Sequence, residues 1–179
     1  TLNIKYYRGS EENVLNRYYE SALITDASVI VRVTGDCILI DPQIIDNIIL
    51  EFKNNVCDFM DTFYHGSGKG CCAGFPDGSN PEIFTFKSLQ EANLNATTEE
   101  EKEHVSGYII KNMNCKKYNI PININNYSNI NFETLHLSLD TQDDFILIEK
   151  ILKNFYVDNS NFTIYDVLKF LNCNTYIIK

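Results

Sequence analysis

The segment from Val29 to Asp41 constrains the fold of this chain more than any other. It begins as a β-branched apolar run, too uniformly apolar for a strand with one face in water, and that run ends abruptly at Gly35 and Asp36. Such a pattern predicts a buried parallel strand that delivers the Asp36 carboxylate to one edge of a sheet. Because open α/β sheets bind ligands at that edge, the segment predicts a functional site as well as a fold class.

Hydrophobic periodicity predicts alternating strands and helices around this segment. Residues 3–7 have the pattern of a short strand, and Ser10 can cap a helix over the apolar spacing of residues 14–23. Asp41 followed by Pro42 predicts the start of a second helix. Further strands are predicted at 57–64, 82–86 and 135–139, a glycine-rich loop at 65–80, and helices at 87–96 and after the capping residues Thr98, Thr141 and Thr163.

Length and charge limit the function classes. With 179 residues the chain is long enough for one domain with a substantial core. Its 15 basic and 24 acidic residues give a net charge of −9 without a basic stripe, which argues against polymeric nucleic acid as a partner.

Cysteine usage and hydropathy indicate the compartment. The six cysteines include no Cys-x-x-Cys pair, which is typical of free thiols in a reducing compartment. No stretch reaches the roughly 18 to 20 apolar residues of a membrane span. We therefore expect a soluble cytoplasmic protein with no membrane partner, and the sequence leaves open whether it forms a homodimer.

Two aspartates that follow apolar runs are the first candidates for chemistry. Asp36 and Asp140 are far apart in the chain, but each directly follows a strand-like run, so adjacent strands would bring both carboxylates to one edge. Two hard oxygen ligands suit Mg²⁺, which would bridge substrate phosphates and neutralise charge on a transferred phosphoryl group. The alternative is structural: Asp36 fixes a Gly-Asp turn, and Asp140 precedes a helix cap.

Basic residues at two places could contribute to the same site. Arg32 is a cation inside an apolar strand, so it should pair with a carboxylate or bind a ligand phosphate, and structural pairing is the commoner case. Arg8, Gly9 and Ser10 lie at a strand-to-helix junction, where free amides can bind an anion, a base or a ribose. A plain turn and helix cap would explain the same three residues.

Other catalytic patterns are excluded. Glu103 and His104 are adjacent on a helix, which rules out the spacing of a zinc-binding His-x-x-x-His pair. His65 and His136 have no partner at metal-ligand spacing, and we interpret them as a loop residue and a strand residue. No serine or cysteine lies in a nucleophile elbow.

Five segments occur in a characteristic order over nearly the whole chain. They are RGSEENVLNRY at 8–18, VRVTGDCILIDP at 31–42, FPDG at 75–78, EHV at 103–105 and LDTQDDF at 139–145. Together they resemble the cytidylyltransferase family, in particular the acylneuraminate-type enzymes linked to spore-coat polysaccharide synthesis. The strand end Thr-Gly-Asp-Cys is the most specific part of the resemblance.

The resemblance implies a fold and a reaction. The fold is a three-layer, Rossmann-like α/β fold of the nucleotide-diphosphosugar-transferase type with a mostly parallel central sheet. In the reaction a sugar hydroxyl attacks the α-phosphate of CTP, giving a CMP-sugar and pyrophosphate for surface polysaccharide or glycan synthesis. The implied site residues are Asp36, Asp140 and Arg32 for catalysis, with the two aspartates holding Mg²⁺; Arg8, Gly9 and Ser10 for the nucleotide; and Asp77, Gly78, Glu103 and His104 for the sugar.

The chain also departs from the family pattern. The family's basic, glycine-containing nucleotide loop would precede Thr1, so we expect residues 1–179 to be the larger C-terminal part of a single domain, without its first β-α unit. Ser79 and Asn80 stand where relatives carry Leu-Asp, Ile38 replaces a proline, and Ser106 and Gly107 replace a Thr-Pro pair, which could reshape the sugar pocket. Two other functions therefore stay open: a glycosyltransferase that consumes a nucleotide sugar, and a non-catalytic assembly module.

Overall fold

The computed structural model describes residues 4–62, 76–118, 123–132, 134–156 and 161–177 of the chain. Within these residues four strands form one sheet: β1 (Val29–Arg32), β2 (Phe59–Asp61), β3 (Glu82–Thr85) and β4 (Cys115–Lys117). The helices are α1 (Val14–Thr25), α2 (Pro42–Asn54), α3 (Phe86–Asn95), α4 (Glu99–Glu103), α5 (Gly107–Asn112), α6 (Gln142–Phe155) and α7 (Ile164–Cys173), with 3-10 turns at Ile124–Tyr127 and Thr175–Ile177.

The sheet is mixed. Its strand order is β1-β3-β2-β4, with β3 antiparallel to both of its neighbours and β2 parallel to β4. Three of the four described strands therefore share one direction, as expected for a mostly parallel sheet, and β3 runs against them. β1 is an edge strand of the described sheet with three half-buried residues and an antiparallel partner, and not the buried parallel strand that its apolar sequence predicts.

Different helices cover the two faces of the sheet. Phe59 and Phe84 are cross-strand partners whose rings stack with centroids 6.4 Å apart, and they pack in a core with α1, α3 and α5. The next pair, Met60 and Ile83, packs on the other face against Ile48 of α2. This alternation produces three layers and confirms the predicted Rossmann-like α/β fold.

A further core joins α2, α6 and α7, and one carboxylate is buried at its margin. Asp41 is 3% exposed. Its Oδ1 accepts the Gln43 N–H at the start of α2 at 2.8 Å, and its Oδ2 accepts the Ile164 N–H at the start of α7 at 3.0 Å. Asp41 thus satisfies amides at the N-termini of two helices that are far apart in the sequence. The apolar residues of this core are Leu39, Ile44, Ile130, Leu135, Leu137, Ile148, Ile151, Ile164, Val167, Leu168 and Leu171.

Hydrogen bonds confirm most of the predicted helix starts. Asp41 caps α2, and capping boxes begin at Thr98, Thr141 and Thr163. The first helix differs from the prediction, because its N-cap is Asn13 and not Ser10. The Asn13 side chain accepts the N–H of Asn16 inside the helix, whereas the Ser10 hydroxyl accepts only the N–H of Asn13. The helix therefore begins one turn later than predicted.

Several predicted strands are absent or shorter among the described residues. Residues 4–7 form no strand, and the exposed side chains of Ile4 and Tyr6 pack on no sheet. The predicted strand at 57–64 is reduced to Phe59–Asp61, and residues 63–64 lie outside the described ranges, as do residues 65–75 of the predicted loop. The predicted strand at 135–139 forms a single parallel bridge, between His136 and Asp77, because this segment lies beside a loop and not beside a strand.

Within the described ranges, no helix is long and apolar enough to cross a bilayer. The thiols of Cys37, Cys57, Cys115 and Cys173 are free, and Cys71 and Cys72 lie outside those ranges. Burial raises the pKa of Cys115 to about 11, so this thiol stays protonated at neutral pH.

Replacing Asp41 should destabilise the protein. Asp41→Ala leaves two helix amides without their acceptor at a buried position, so we expect the free energy of unfolding to fall by about 2 to 4 kcal/mol. Urea unfolding followed by circular dichroism measures this change. Asp46→Ala is the matched control, because Asp46 is exposed on α2, and it should change stability by less than about 0.5 kcal/mol. Equal losses from the two substitutions would contradict this role of Asp41.

Candidate functional site

Three segments meet beyond the end of β1: residues 34–40, 76–80 and 135–140. The Leu137 N–H donates to the Asp77 carbonyl at 2.9 Å, and the Leu139 N–H donates to the Asp36 carbonyl at 3.0 Å. The segment 135–140 therefore contacts both of the others. The Asp36 carbonyl is hydrogen-bonded to Leu139, the residue directly before Asp140. The sequence predicted that these aspartates converge. The backbone contact forms through an extended loop segment and not through two adjacent strands.

The turn around Asp36 keeps its carboxylate ionised. The Thr34 hydroxyl hydrogen-bonds to this group and, together with the Asp36 N–H and the Cys37 thiol, holds its pKa below the usual range against the opposing effect of burial. Burial raises the pKa of the Cys37 thiol, which is therefore a neutral donor and not a nucleophile. One oxygen, Asp36 Oδ1, is buried without a hydrogen-bond partner in the described part of the chain. Buried carboxylate oxygens normally have a partner, so Oδ1 is open to a cation or a ligand donor.

A single imidazole lies between two carboxylates. His136 Nε2 is 2.8 Å from Asp140 Oδ2, and His136 Nδ1 is 3.1 Å from Asp77 Oδ2. Partial burial opposes the charge on His136, but the hydrogen bond to Asp140 and the charges of Asp77 and Asp144 outweigh it and raise the pKa of the imidazole. A protonated imidazole donates from both nitrogens, as this geometry requires. Residue 136 forms a β-bridge as a predicted strand residue can, but the sequence analysis did not foresee that two carboxylates contact its imidazole.

The donor groups suit a hard divalent cation at the aspartates better than a metal bound by the histidine. His136, Asp140 and Asp144 each bring one potential ligand atom within 4.8 Å of the others. However, both nitrogens of His136 face carboxylates, and Asp144 Oδ2 accepts hydrogen bonds from the Asp140 N–H and from the N–H and hydroxyl of Thr141. Asp140 uses Oδ2 for His136, which leaves its Oδ1. Oxygens from Asp140 and Asp36 are the donors that Mg²⁺ prefers, so these residues fit the ion.

Arg32 is paired inside the protein. Its Nη1 lies 3.0 Å from Oε2 of Glu82, its register partner on β3. Glu82 Oε1 accepts the Ser106 hydroxyl at 3.0 Å. Burial raises the pKa of Glu82, and the positive charge of Arg32 opposes that effect. The structural pairing that we expected for Arg32 is confirmed, while a catalytic role for Arg32 stays a prediction.

Glu103 and His104 are exposed at the end of α4. The single helix predicted from Thr98 is interrupted here, because Val105 has a φ of 53°, a rare conformation for a β-branched residue. The Val105 side chain is fully buried, and the next residue, Ser106, is hydrogen-bonded to Glu82. Packing and this hydrogen bond therefore hold the break that places Glu103 and His104 at the surface.

The predicted nucleotide residues form a separate local structure. The Arg8 guanidinium lies 5.6 Å from the centre of the Tyr6 ring, and Arg17 Nη1 donates to the Ser10 carbonyl at 3.1 Å. These contacts stay within residues 6–17. A cavity of about 320 Å³ adjoins this segment and is lined by Tyr7 and Arg17 together with residues of α1 and β1. Arg8, Gly9 and Ser10 follow Tyr7 in the chain but are not among the residues that line this cavity, so their role at the nucleotide stays a prediction.

The loop carrying Asp77 and Gly78 is closely packed against the segment 135–140. Gly78 has a φ of +87°. A Cβ at this position would overlap the Ser138 nitrogen and the Leu137 carbonyl carbon. Asp77 Oδ1 accepts the Gly78 N–H at 2.9 Å, which fixes the carboxylate that also contacts His136. Both predicted sugar-facing residues of this loop therefore lie against the segment that carries Asp140.

Sequence reasoning did not foresee the contacts made by His136, Glu82 and Ser106. A spacing of four residues separates His136 from Asp140. This spacing brings two side chains into contact only where the backbone between them is curved, so in a segment predicted to be a strand it did not indicate the contact. Glu82 lies 50 residues from Arg32 and 24 from Ser106, so no local pattern indicates either contact.

Comparison with known proteins gives consistent results. A sequence model described as Cytidylyltransferase matches residues 3–162. An uncharacterized protein of Methanocaldococcus jannaschii is 32% identical over 177 residues, which are 99% of this chain and 67% of that protein. Spore coat polysaccharide biosynthesis protein SpsF of Bacillus subtilis is 29% identical over 106 residues, or 59% of this chain and 40% of SpsF.

One solved structure shows the same fold. The structure of a cytidylyltransferase from Leptospira borgpetersenii serovar Hardjo-bovis superposes with a TM-score of 0.82 at 24% identity. The match covers 98% of this chain and 69% of the other.

Gly78→Ala should disrupt this edge. A methyl group would clash with the backbone at Leu137 and Ser138, and the positive φ adds strain, so we expect a loss of more than about 2 kcal/mol in the free energy of unfolding. Urea unfolding of the purified variant measures it. Gly35→Ala is the control, since a Cβ there meets nothing within 4 Å, and it should be nearly neutral. A stable Gly78→Ala protein would contradict the close backbone approach.

Proposed function

The chain belongs to the cytidylyltransferase family, and on that basis we propose that this CTP-dependent nucleotidyltransferase activates a sugar. In the proposed reaction a sugar hydroxyl attacks the α-phosphate of CTP, pyrophosphate leaves, and a CMP-sugar forms. The similarity to SpsF, a spore coat polysaccharide biosynthesis protein, supports a role in surface polysaccharide or glycan synthesis. The observation that supports the proposal is the backbone hydrogen bond from the Leu139 N–H to the Asp36 carbonyl, which brings the segment carrying Asp140 against the residue Asp36.

Asp36 and Asp140 would hold the divalent cation. Asp36 stays ionised because hydrogen bonds lower its pKa, and its buried Oδ1 has no partner within the described residues. Asp140 is fixed through Oδ2 and keeps Oδ1 for a ligand. When bound, Mg²⁺ supplies charge neutralisation at the phosphates. This contribution matters in a chain with a net charge of −9, which offers no basic stripe to a triphosphate.

The remaining predicted residues divide between the two substrates. Asp77 contacts the imidazole that binds Asp140, and together with Gly78 it would bind the sugar from one side. Glu103 and His104 present exposed polar groups on the turn tied to β3. Tyr7 lines the cavity beside α1, and the residues that follow it, Arg8, Gly9 and Ser10, would contact the nucleotide. Arg32 would act through Glu82, because its Nη1 is already paired.

The proposal predicts pyrophosphate release that depends on both aspartates. Purified protein incubated with CTP, Mg²⁺ and a panel of nonulosonic and related sugars should release pyrophosphate with at least one sugar. Asp36→Asn and Asp140→Asn should each lower kcat/KM by at least about 100-fold, because each removes a cation ligand that offsets phosphoryl charge. Asp143→Asn, which changes an exposed acid near Asp140, should retain activity within about twofold.

The alternatives give different outcomes in the same assay. Transfer from a CMP- or UDP-sugar without pyrophosphate formation would indicate a glycosyltransferase. No reaction with any sugar, together with CTP binding that ignores Asp36→Asn, would indicate a non-catalytic assembly module. Wild-type activity in Asp36→Asn would overturn the assignment of the cation ligands.

A further inference from the structure

We propose that His136 is a positioning residue that fixes the Asp140 carboxylate through Oδ2 and so leaves Asp140 Oδ1 to bind the cation. This inference rests on the proposed function only in taking Asp140 as a cation ligand. It assigns a role to an imidazole that the sequence did not single out.

The contacts form a continuous series from the backbone to Asp140. The Gly78 N–H donates to Asp77 Oδ1 at 2.9 Å, and Asp77 Oδ2 contacts His136 Nδ1 at 3.1 Å. His136 Nε2 then contacts Asp140 Oδ2 at 2.8 Å. Every side chain in this series is oriented by the one before it, and the first is oriented by a backbone amide that the packing of Gly78 fixes in place.

The backbone of His136 is also fixed. Residue 136 forms a parallel bridge with Asp77, and the N–H groups of Leu137 and Leu139 donate to the Asp77 and Asp36 carbonyls. The imidazole and the carboxylate that it orients therefore project from one segment with little freedom to move apart. A second residue that orients a ligand in this way typically changes metal affinity by 10- to 100-fold when it is removed.

The exposure of these three side chains argues against a purely structural role. The side chains of His136, Asp77 and Asp140 are 38%, 46% and 52% exposed. Ion pairs with this exposure contribute little to folding stability, because water screens the charges and ordering the side chains costs entropy. The bridge can nevertheless determine the direction of the Asp140 carboxylate. We therefore expect a large effect on cation binding and a small one on unfolding.

The two ring nitrogens allow a matched pair of variants. A glutamine amide nitrogen occupies approximately the position of Nε2, so His136→Gln retains a donor for Asp140. An asparagine amide nitrogen lies near the position of Nδ1, so His136→Asn retains a donor for Asp77 and loses the one for Asp140. The two variants are both neutral amides, which separates the effect of hydrogen bonding from the effect of charge.

Mn²⁺ is the probe, and its binding to the purified protein is measured by electron paramagnetic resonance without any substrate. His136→Asn and His136→Ala should raise the Mn²⁺ Kd by at least about tenfold, while His136→Gln should stay within about threefold of the wild type. Asp143→Asn is the control for a change of charge at this edge and should also stay within about threefold. Urea unfolding midpoints should agree among all of these variants.

Each other outcome decides against the proposal. Equal Mn²⁺ affinities for the glutamine and asparagine variants, an unchanged alanine variant, or a wild-type protein that binds no Mn²⁺ would each overturn it. The proposed function is tested separately by pyrophosphate release. If the glutamine and asparagine variants differ as expected but no sugar supports that release, the positioning role stands and the proposed reaction fails.

Discussion

Two backbone hydrogen bonds hold the candidate site together, one from Leu137 to Asp77 and one from Leu139 to Asp36. They fix the segment 135–140 against a loop on one side and the end of β1 on the other. The contact requires a residue without a Cβ at position 78, since any side chain there would overlap the backbone of 137 and 138. The packing of the segment 135–140 therefore determines the positions of four side chains: Asp36, Asp77, His136 and Asp140.

Local signals in the sequence predicted the parts of the fold that local chemistry decides. Three helices begin with a capping box, at Thr98, Thr141 and Thr163. In each, the threonine hydroxyl accepts the backbone N–H of the acidic residue three positions later, and the side chain of that acid accepts the threonine N–H. Asp41 was predicted as a helix start for the same reason. Its second bond, to the N–H of Ile164, joins α2 to α7, and no local pattern indicates a contact across 123 residues.

The incorrect predictions concern pairing between distant segments. The apolar sequence of β1 indicated a buried parallel strand, but β3 pairs with it antiparallel and brings Glu82 opposite Arg32. The single charge in that strand was the sign of such a partner, because a buried arginine needs a carboxylate. The segment 135–139 likewise has the composition of a strand but forms a bridge to a loop. Composition indicates an extended backbone, whereas the partner decides whether a sheet forms.

The charges at the site limit what it can bind. Four aspartates lie at this edge, Asp36, Asp77, Asp140 and Asp144, and the positively charged His136 contacts two of them, Asp77 and Asp140. Arg32 makes only a minor contribution to keeping Asp36 ionised, and Glu82 already pairs with it. An edge with this balance repels a free triphosphate and attracts a divalent cation. If this edge is the nucleotide site, as proposed, a triphosphate would approach together with a divalent cation that offsets part of the negative charge. A residue that determines the direction of the Asp140 oxygens would then influence nucleotide binding, although it contacts neither the base nor the phosphates.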